Sequence, residues 1–289
     1  MFIYLQVVTY IVPLFYKSGE REASRMSRRK NVWKRFVKIF FAVIISIAII
    51  GGTFAIYIIK TINPYSIDLD NVRLELIGSA VLSPEESTQA IADLRNNKKR
   101  IWVDLSDVPK NLTNAIISTE DKSFYTNSGV DFVRTLQAAV NFVFQYDKSI
   151  GGGSTITQQM VKNVEGNIND RTYKNKLKEI VTALNITHQY SKDQIMEIYI
   201  NIVTLGDDCY GVQTASKIYF GKTINELDLA QCSTLASILP SPNLLYNPYR
   251  NPENVHERCD FILKNMLNQG MITKEQYTEA INETVIYTH

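Results

Sequence analysis

Residues 151–163 read GGGSTITQQMVKN: three glycines, a row of hydroxyl residues, twin glutamines and a lysine. Glycines free the backbone for a tight turn or a close approach. Thr155 and Gln158 then stand at the spacing of a capping box, which predicts a helix from about Ile156. A helix start behind glycines offers unsatisfied N–H groups and the positive end of the helix dipole, the ingredients of an anion site. Lys162, two turns in, would add a full charge. A purely structural cap accounts for the same residues equally well.

Outward from this segment the signals are helical. Ser191 and Gln194 form another capping box, with Ile195, Ile198, Tyr199 and Ile202 behind it at helical spacing. Thr273 with Gln276 repeats the pattern, and Pro252 and Gly270 bracket a further helix. A helix is also expected from Asn225 to Pro240. Residues 61–110 read differently: YSIDLDNVRLELIG as short strands, and SPEESTQAIADLRNN as a short helix capped at Ser83. No internal repeat and no alternation of strands with helices appears. The expected class is a mainly α domain.

The chain has 289 residues, 45% hydrophobic and 21% charged, an ordinary globular balance. Its longest uncharged apolar run is IFFAVIISIAIIGGTFAIYII, residues 39–59, long enough to cross a hydrocarbon core of about 30 Å. Basic residues precede it, so the positive-inside rule puts the N-terminus in the cytoplasm and the rest outside. The organisation expected is a cytoplasmic segment 1–35, a signal anchor 36–60 and a membrane-proximal segment 61–100. A catalytic domain 101–270 and a C-terminal helix and tail 271–289 follow. Met26 makes a more natural start for such an anchor, which leaves residues 1–25 as a start-site extension. Residues 1–60 hold ten Lys/Arg against two Glu, a charge of +8; the whole chain is +2, so the remainder is −6. That balance argues against nucleic acid as partner. Cys209, Cys232 and Cys259 are odd in number and lack metal-ligand spacing, so they are expected in the core.

Two further segments carry candidate chemistry. In RTYKNKLKEIVTALNI, from Arg171, Leu177, Ile180, Val181 and Leu184 form an apolar stripe, with Asn175, Lys176 and Glu179 roughly opposite. In AIISTEDKSFYTNSGVD, Glu120 and Asp121 fall where a helix should end, beside Phe124 and Tyr125. A carboxylate next to aromatics is partly desolvated and suits base chemistry. Taken singly, each reads as readily as a solvated face or a surface acid pair. Together they describe a carboxylate facing a cationic, phosphate-sized cradle just outside a membrane, which suggests transfer from a lipid-linked phosphate donor.

EDKSFYTNSGVD, GGSTITQQMVKN, KLKEI, SKDQIMEIYINIVTLG and YGVQTASKIYFGK resemble, in order and spacing, the peptidoglycan glycosyltransferase family. These are the glycosyltransferase modules of class A penicillin-binding proteins and their monofunctional relatives. The resemblance spans about Trp102 to Asn268 and implies a lysozyme-like α fold with a membrane-embedded jaw. It also implies polymerisation of lipid II onto a lipid-linked glycan, with inversion and loss of undecaprenyl pyrophosphate, at the bacterial cell membrane.

By the same resemblance Glu120 is the general base and Glu179 the second acid, while Lys162 and Arg171 neutralise the leaving group. Asp121, Phe124, Gly153, Ser154, Thr155, Gln158, Gln159, Asn163 and Lys176 complete the substrate set. No cofactor is required; a divalent cation, Mg or Mn, is compatible if held through the substrate pyrophosphate. Membrane lipid and proteins of cell-wall synthesis or division are the partners implied. Asn127, Asn175, Thr187 and Gln213 stand where the family more often has other residues. Lys-Thr-Gly, part of a transpeptidase signature, is absent, so a monofunctional enzyme is expected. The departures motivate one alternative, a catalytically weak scaffold that binds lipid II. A lytic muramidase is a third reading, disfavoured by the cationic cradle.

Overall fold

The computed structural model describes residues 67–79, 100–144, 152–165, 172–206 and 209–288, with scattered positions between 38 and 53. The chain divides into two units, residues 1–63 and 64–289. In the first, the described positions from Lys38 to Thr53 are helical and exposed. Most of the expected anchor lies outside the described residues, as do the helix capped at Ser83 and residues 1–25. Among the described residues no helix is long and apolar enough to cross a membrane.

Side-chain caps set where the helices of the second unit begin. Asp68 accepts from the N–H groups of Asp70 and Asn71, both at 3.1 Å, and starts α1, Leu69–Ser79. The strands expected around residues 65–78 are therefore a helix from Leu69 onward; the Asp68 cap outweighs the alternating pattern. Helices α2 (Lys110–Glu120), α3 (Phe132–Phe144), α4 (Ile156–Val164), α5 (Tyr173–Gln189) and α6 (Lys192–Ile202) follow. Then come α7 (Val212–Phe220), α8 (Leu229–Ile238), α9 (Pro252–Asn268) and α10 (Lys274–Ile281). The capping boxes expected at Thr155, Ser191 and Thr273 are all formed. The helix expected from Asn225 starts later, at Leu229, because Asp228 with Gln231 supplies a stronger box and the residues before it form only one 3-10 turn. Among the described residues, extended pairing is limited to one isolated antiparallel bridge, Thr204 with Tyr210.

Helix α8 runs through the interior, buried from Ala230 to Ile238, with α2 and α9 packed on it. A helix buried on all sides must dispose of its polar groups internally. Thr234 Oγ1 donates to Ala230 O at 2.8 Å and Ser237 Oγ to Thr234 O at 2.7 Å, so these two hydroxyls are satisfied by their own helix, while Ser233 Oγ meets Met266 Sδ of α9 at 4.0 Å. A second group is α4, packed against α5 and α6. Tyr199 of α6 and Met160 of α4 are completely buried there. All three cysteines are buried core residues, and burial pushes the Cys259 thiol up to about 12.

Candidate active site

Glu120 is the last residue of α2 and Asp121 caps it with an extended backbone, φ −156°. The end of a helix leaves carbonyl oxygens unpaired and carries negative dipole, which a cation offsets. Arg134, in the first turn of α3, meets that need. Its guanidinium donates to the Glu120 carbonyl oxygen and, at 3.4 Å, to that of Thr119. Arg134 is in turn set by Asp131, whose carboxylate accepts from the Arg134 N–H at 2.9 Å.

Asp121 turns inward and is completely buried. Its carboxylate accepts from Asn127 Nδ2 at 2.9 and 3.1 Å, from Ser123 Oγ at 3.2 Å and from the Ile156 N–H at 3.1 Å. Burial pushes this carboxyl above the usual range, while the donors and the Arg134 charge pull it back. The Ile156 contact corrects the anion reading of the α4 N-terminus. The negative group there is the chain's own Asp121; Gln158 N–H goes to Thr155 Oγ1 at 3.1 Å, and Thr155 N–H to Gln158 Oε1 at 3.0 Å. Of these backbone donors, that of Ile156 joins α4 to the end of α2, and those of Thr155 and Gln158 close the cap of α4 itself.

The Glu120 side chain, 14% exposed, is held at both oxygens. Gln159 Nε2 donates to Oε2 at 2.9 Å, and Arg258 Nη2 lies 3.4 Å from Oε1. Gln159 is itself oriented by Tyr199, whose hydroxyl donates to its Oε1 at 3.1 Å. Burial, with Glu120 and Asp121 nearby, pushes the Tyr199 phenol well up, so it stays a protonated donor.

Glu179 belongs to a second network. Its Oε1 accepts from Gln158 Nε2 at 3.0 Å and from Lys176 Nζ, and Lys176 also donates to Ser154 Oγ at 2.8 Å. Gln158 thereby bridges the capping box of α4 and the second acid. Opposite the α5 stripe Glu179 is largely buried while the Lys176 side chain is 41% exposed, and the helix buries Thr182, Ala183 and Ile186.

One cleft of about 1410 Å³ brings much of this together. Glu120, Ser154, Gln159, Lys162 and Asn163 line it, so the expected base and the expected cation share one cavity. Lys122 and Arg134 add positive charge to its walls. Glu179 and Lys176 reach it at one remove, through Ser154. Asp121, Phe124, Thr155 and Gln158 are fully buried and away from the cleft lining. The cap and loop engage the polar side-chain atoms of Asp121, Thr155 and Gln158. Phe124 has its ring under Lys192 Nζ, 4.8 Å from the centroid. Gly153 lies close to α3, where a Cβ would meet Ala138 Cβ at 3.0 Å. Arg171 lies outside the described residues. Among those described, no group of three or more His, Cys, Asp or Glu is arranged to hold a metal ion.

Two of the family departures, Asn127 and Gln213, have structural work to do. Asn127 serves both Asp121 oxygens, and its Oδ1 accepts from Gly129 N–H at 2.9 Å and Lys192 Nζ at 3.0 Å. Gln213 Oε1 accepts from Ile224 N–H at 2.9 Å. Asn175 meets the Thr172 cap only through its backbone N–H, at 3.3 Å, a contact that does not depend on its side chain. For Thr187, placed against Gly129, the structure offers no further account. Sequence reasoning missed Arg134, Tyr199 and Arg258. Tyr199 was legible only as one apolar position of a helical stripe, and Arg258, 138 residues from Glu120, carried no local signal at all.

The profile of the Transglycosylase family matches residues 87–267, well over half of the chain. The chain belongs to this family. It is homologous to the glycosyltransferase module of class A penicillin-binding proteins. Penicillin-binding protein 2a of Streptococcus pneumoniae serotype 2 (strain D39 / NCTC 7466) is 36% identical over 266 residues, covering 91% of this chain and 34% of the relative. Penicillin-binding protein 1A of Aquifex aeolicus (strain VF5) is 40% identical over 186 residues, 64% of this chain and 25% of that one. The transglycosylase chain thus spans between a quarter and about a third of these curated relatives. A crystal structure of penicillin-binding protein 1A from Haemophilus influenzae aligns with a TM-score of 0.39 at 24% identity, covering 66% of this chain and 18% of that one.

Proposed function

We propose that this transglycosylase is a membrane-anchored peptidoglycan glycosyltransferase, with a lysozyme-like catalytic domain, that polymerises lipid II. The observation that carries the reading is the shared cleft: a carboxylate fixed at both oxygens in one cavity with Lys162, Arg134 and Lys122. Glu120 takes the proton of the acceptor sugar 4-hydroxyl as that oxygen attacks the donor anomeric carbon from the face opposite the leaving group. The bond to the pyrophosphate oxygen breaks, the configuration inverts, and lipid pyrophosphate departs. Negative charge grows on that oxygen in the transition state, where preorganised cations are most effective. Glu179 holds Lys176 and Gln158, and so shapes the Ser154 edge of the cradle. A divalent cation, Mg or Mn, would arrive on the pyrophosphate rather than on a protein site.

Anchoring rests on the apolar run 39–59 and the basic residues before it. Phe132, Val133 and Leu136, each about two-thirds exposed on α3, suit a jaw dipped into lipid, with the domain on the outer face of the membrane. Partners among cell-wall synthesis or division proteins follow from the same placement. The scaffold alternative drew on Asn127 and Asn175; the engagement of the Asn127 side chain in the Asp121 network supports the catalytic reading over it. The test is polymerisation of lipid II by the purified chain in detergent. Glu120→Gln is expected to abolish product, and polymer made at the parent rate by that variant would remove Glu120 from its role.

A further inference from the structure

Arg258 lies in α9, outside the five quoted segments that carry the family resemblance. Its guanidinium nevertheless reaches Glu120, with Nη2 3.4 Å from Oε1 and only 19% of the side chain exposed. Two features show that it is aimed there rather than merely packed. The guanidinium lies over the Tyr246 ring, 5.0 Å from its centroid, a stacking contact that fixes its plane. Its Nε is buried and makes no hydrogen bond, so the side chain forgoes one donor to keep the orientation it has. Such a loss persists only where the surroundings impose it.

We propose that Arg258 is a positioning residue for the base, one half of a clamp on Glu120 whose other half is Gln159 with Tyr199. This inference rests on the reading of Glu120 as the base. The halves grip different oxygens: Gln159 Nε2 takes Oε2, and Arg258 faces Oε1. They also come from different packing groups. Gln159 and Tyr199 sit on α4 and α6, whereas Arg258 sits on α9, which packs with α8 against α2. The carboxylate is therefore fixed where those two helical groups meet. Rotation about its last side-chain bonds would break one grip or the other. Gln159 is neutral, so Arg258 supplies the one positive charge of the clamp, a charge-assisted partner for the carboxylate.

A clamp acts on geometry in the transition state, so its loss should appear in kcat and leave KM nearly alone. In the full chain with lipid II as substrate, Arg258→Gln is expected to lower kcat about 10²-fold, with KM changed by less than about threefold. Arg258→Lys retains the charge but loses the planar fork, and is expected to recover roughly a tenfold part of that loss. Melting temperatures of both variants, taken alongside, confirm that the folded protein is being assayed, and the Lys variant carries the comparison if the Gln variant does not fold. A kcat within about threefold of the parent in Arg258→Gln, beside an inert Glu120→Gln, would overturn the clamp while leaving the base in place. A loss confined to KM, or equal losses in the Lys and Gln variants, would overturn it too. Parent-rate polymerisation by Glu120→Gln would instead remove the base, and the clamp with it.

Discussion

Replacing Asp121 by Asn tests whether this buried carboxylate is what joins the base to the cradle. The change keeps the shape of the side chain but leaves one accepting oxygen where there were two. The four donor contacts come from Asn127 twice, Ser123 and the Ile156 N–H. In the best orientation the amide oxygen keeps Ile156 and one Asn127 hydrogen, while its NH2 meets the other Asn127 hydrogen and Ser123. One charge-assisted bond is then lost and a donor faces a donor, a cost of about 2 kcal/mol. For a unit the size of residues 64–289, each kcal/mol corresponds to about 2–4 °C, so the melting temperature should fall by about 4–8 °C.

Function should suffer more than stability. Gln159 sits in the first turn of α4, whose start Asp121 holds, and Glu120 is the neighbouring residue; a shift of about 1 Å between them costs about 10²-fold in rate. Thermal unfolding followed by circular dichroism, with lipid II polymerisation measured well below the transition, reads both. A second substitution sharpens the test. Asn127→Asp added to Asp121→Asn exchanges acceptor and donor, and places the new carboxylate 3.0 Å from Lys192 Nζ. The pair should recover at least half of the lost melting temperature. If Asp121→Asn melts within about 1 °C of the parent and polymerises at the parent rate, the carboxylate is not the joint described here.

Two other outcomes follow from the same region. Gly129 has φ 96°, and a Cβ there would lie 2.3 Å from Ala183 O and 2.5 Å from Thr187 Oγ1; Gly129→Ala should destabilise by at least about 3 kcal/mol, read by urea unfolding, and a near-neutral result would contradict the contact. Asp131 is held below the usual carboxylate range, first by the Arg134 N–H and then by Ser123 and the Arg134 charge. A depressed folded-state pKa gives stability that is complete above the unfolded value, roughly pH 4, and is lost as pH falls through the folded one. The stability gap between the parent and Asp131→Asn should therefore hold from pH 7 to 5 and close toward pH 3, and a gap unchanged by pH would refute it.

Much of this protein was written locally. The capping boxes at Thr155, Ser191 and Thr273 each need only four consecutive residues, and every one forms where the spacing places it. The end of α2 at Glu120 and the start of α9 at Pro252 are equally local, as is the ordered set of motifs that names the family. Failures arose where two local signals competed, as at Asp68 and Asp228, and the side-chain cap won over the periodic pattern behind it.

What tertiary structure alone decided is which polar groups face each other. The α4 N-terminus had the makings of an anion site, and the fold filled it with Asp121 from 35 residues away. Glu120 had the makings of a base, and its restraint comes from Gln159, Tyr199 and Arg258 on three other helices. Sequence spacing reports neighbours along one helix, because helix geometry repeats every few residues. It cannot report which side chains meet across a packed interface, because that depends on how whole helices settle against one another to exclude water, and the ionic contacts of the site are a consequence of that packing.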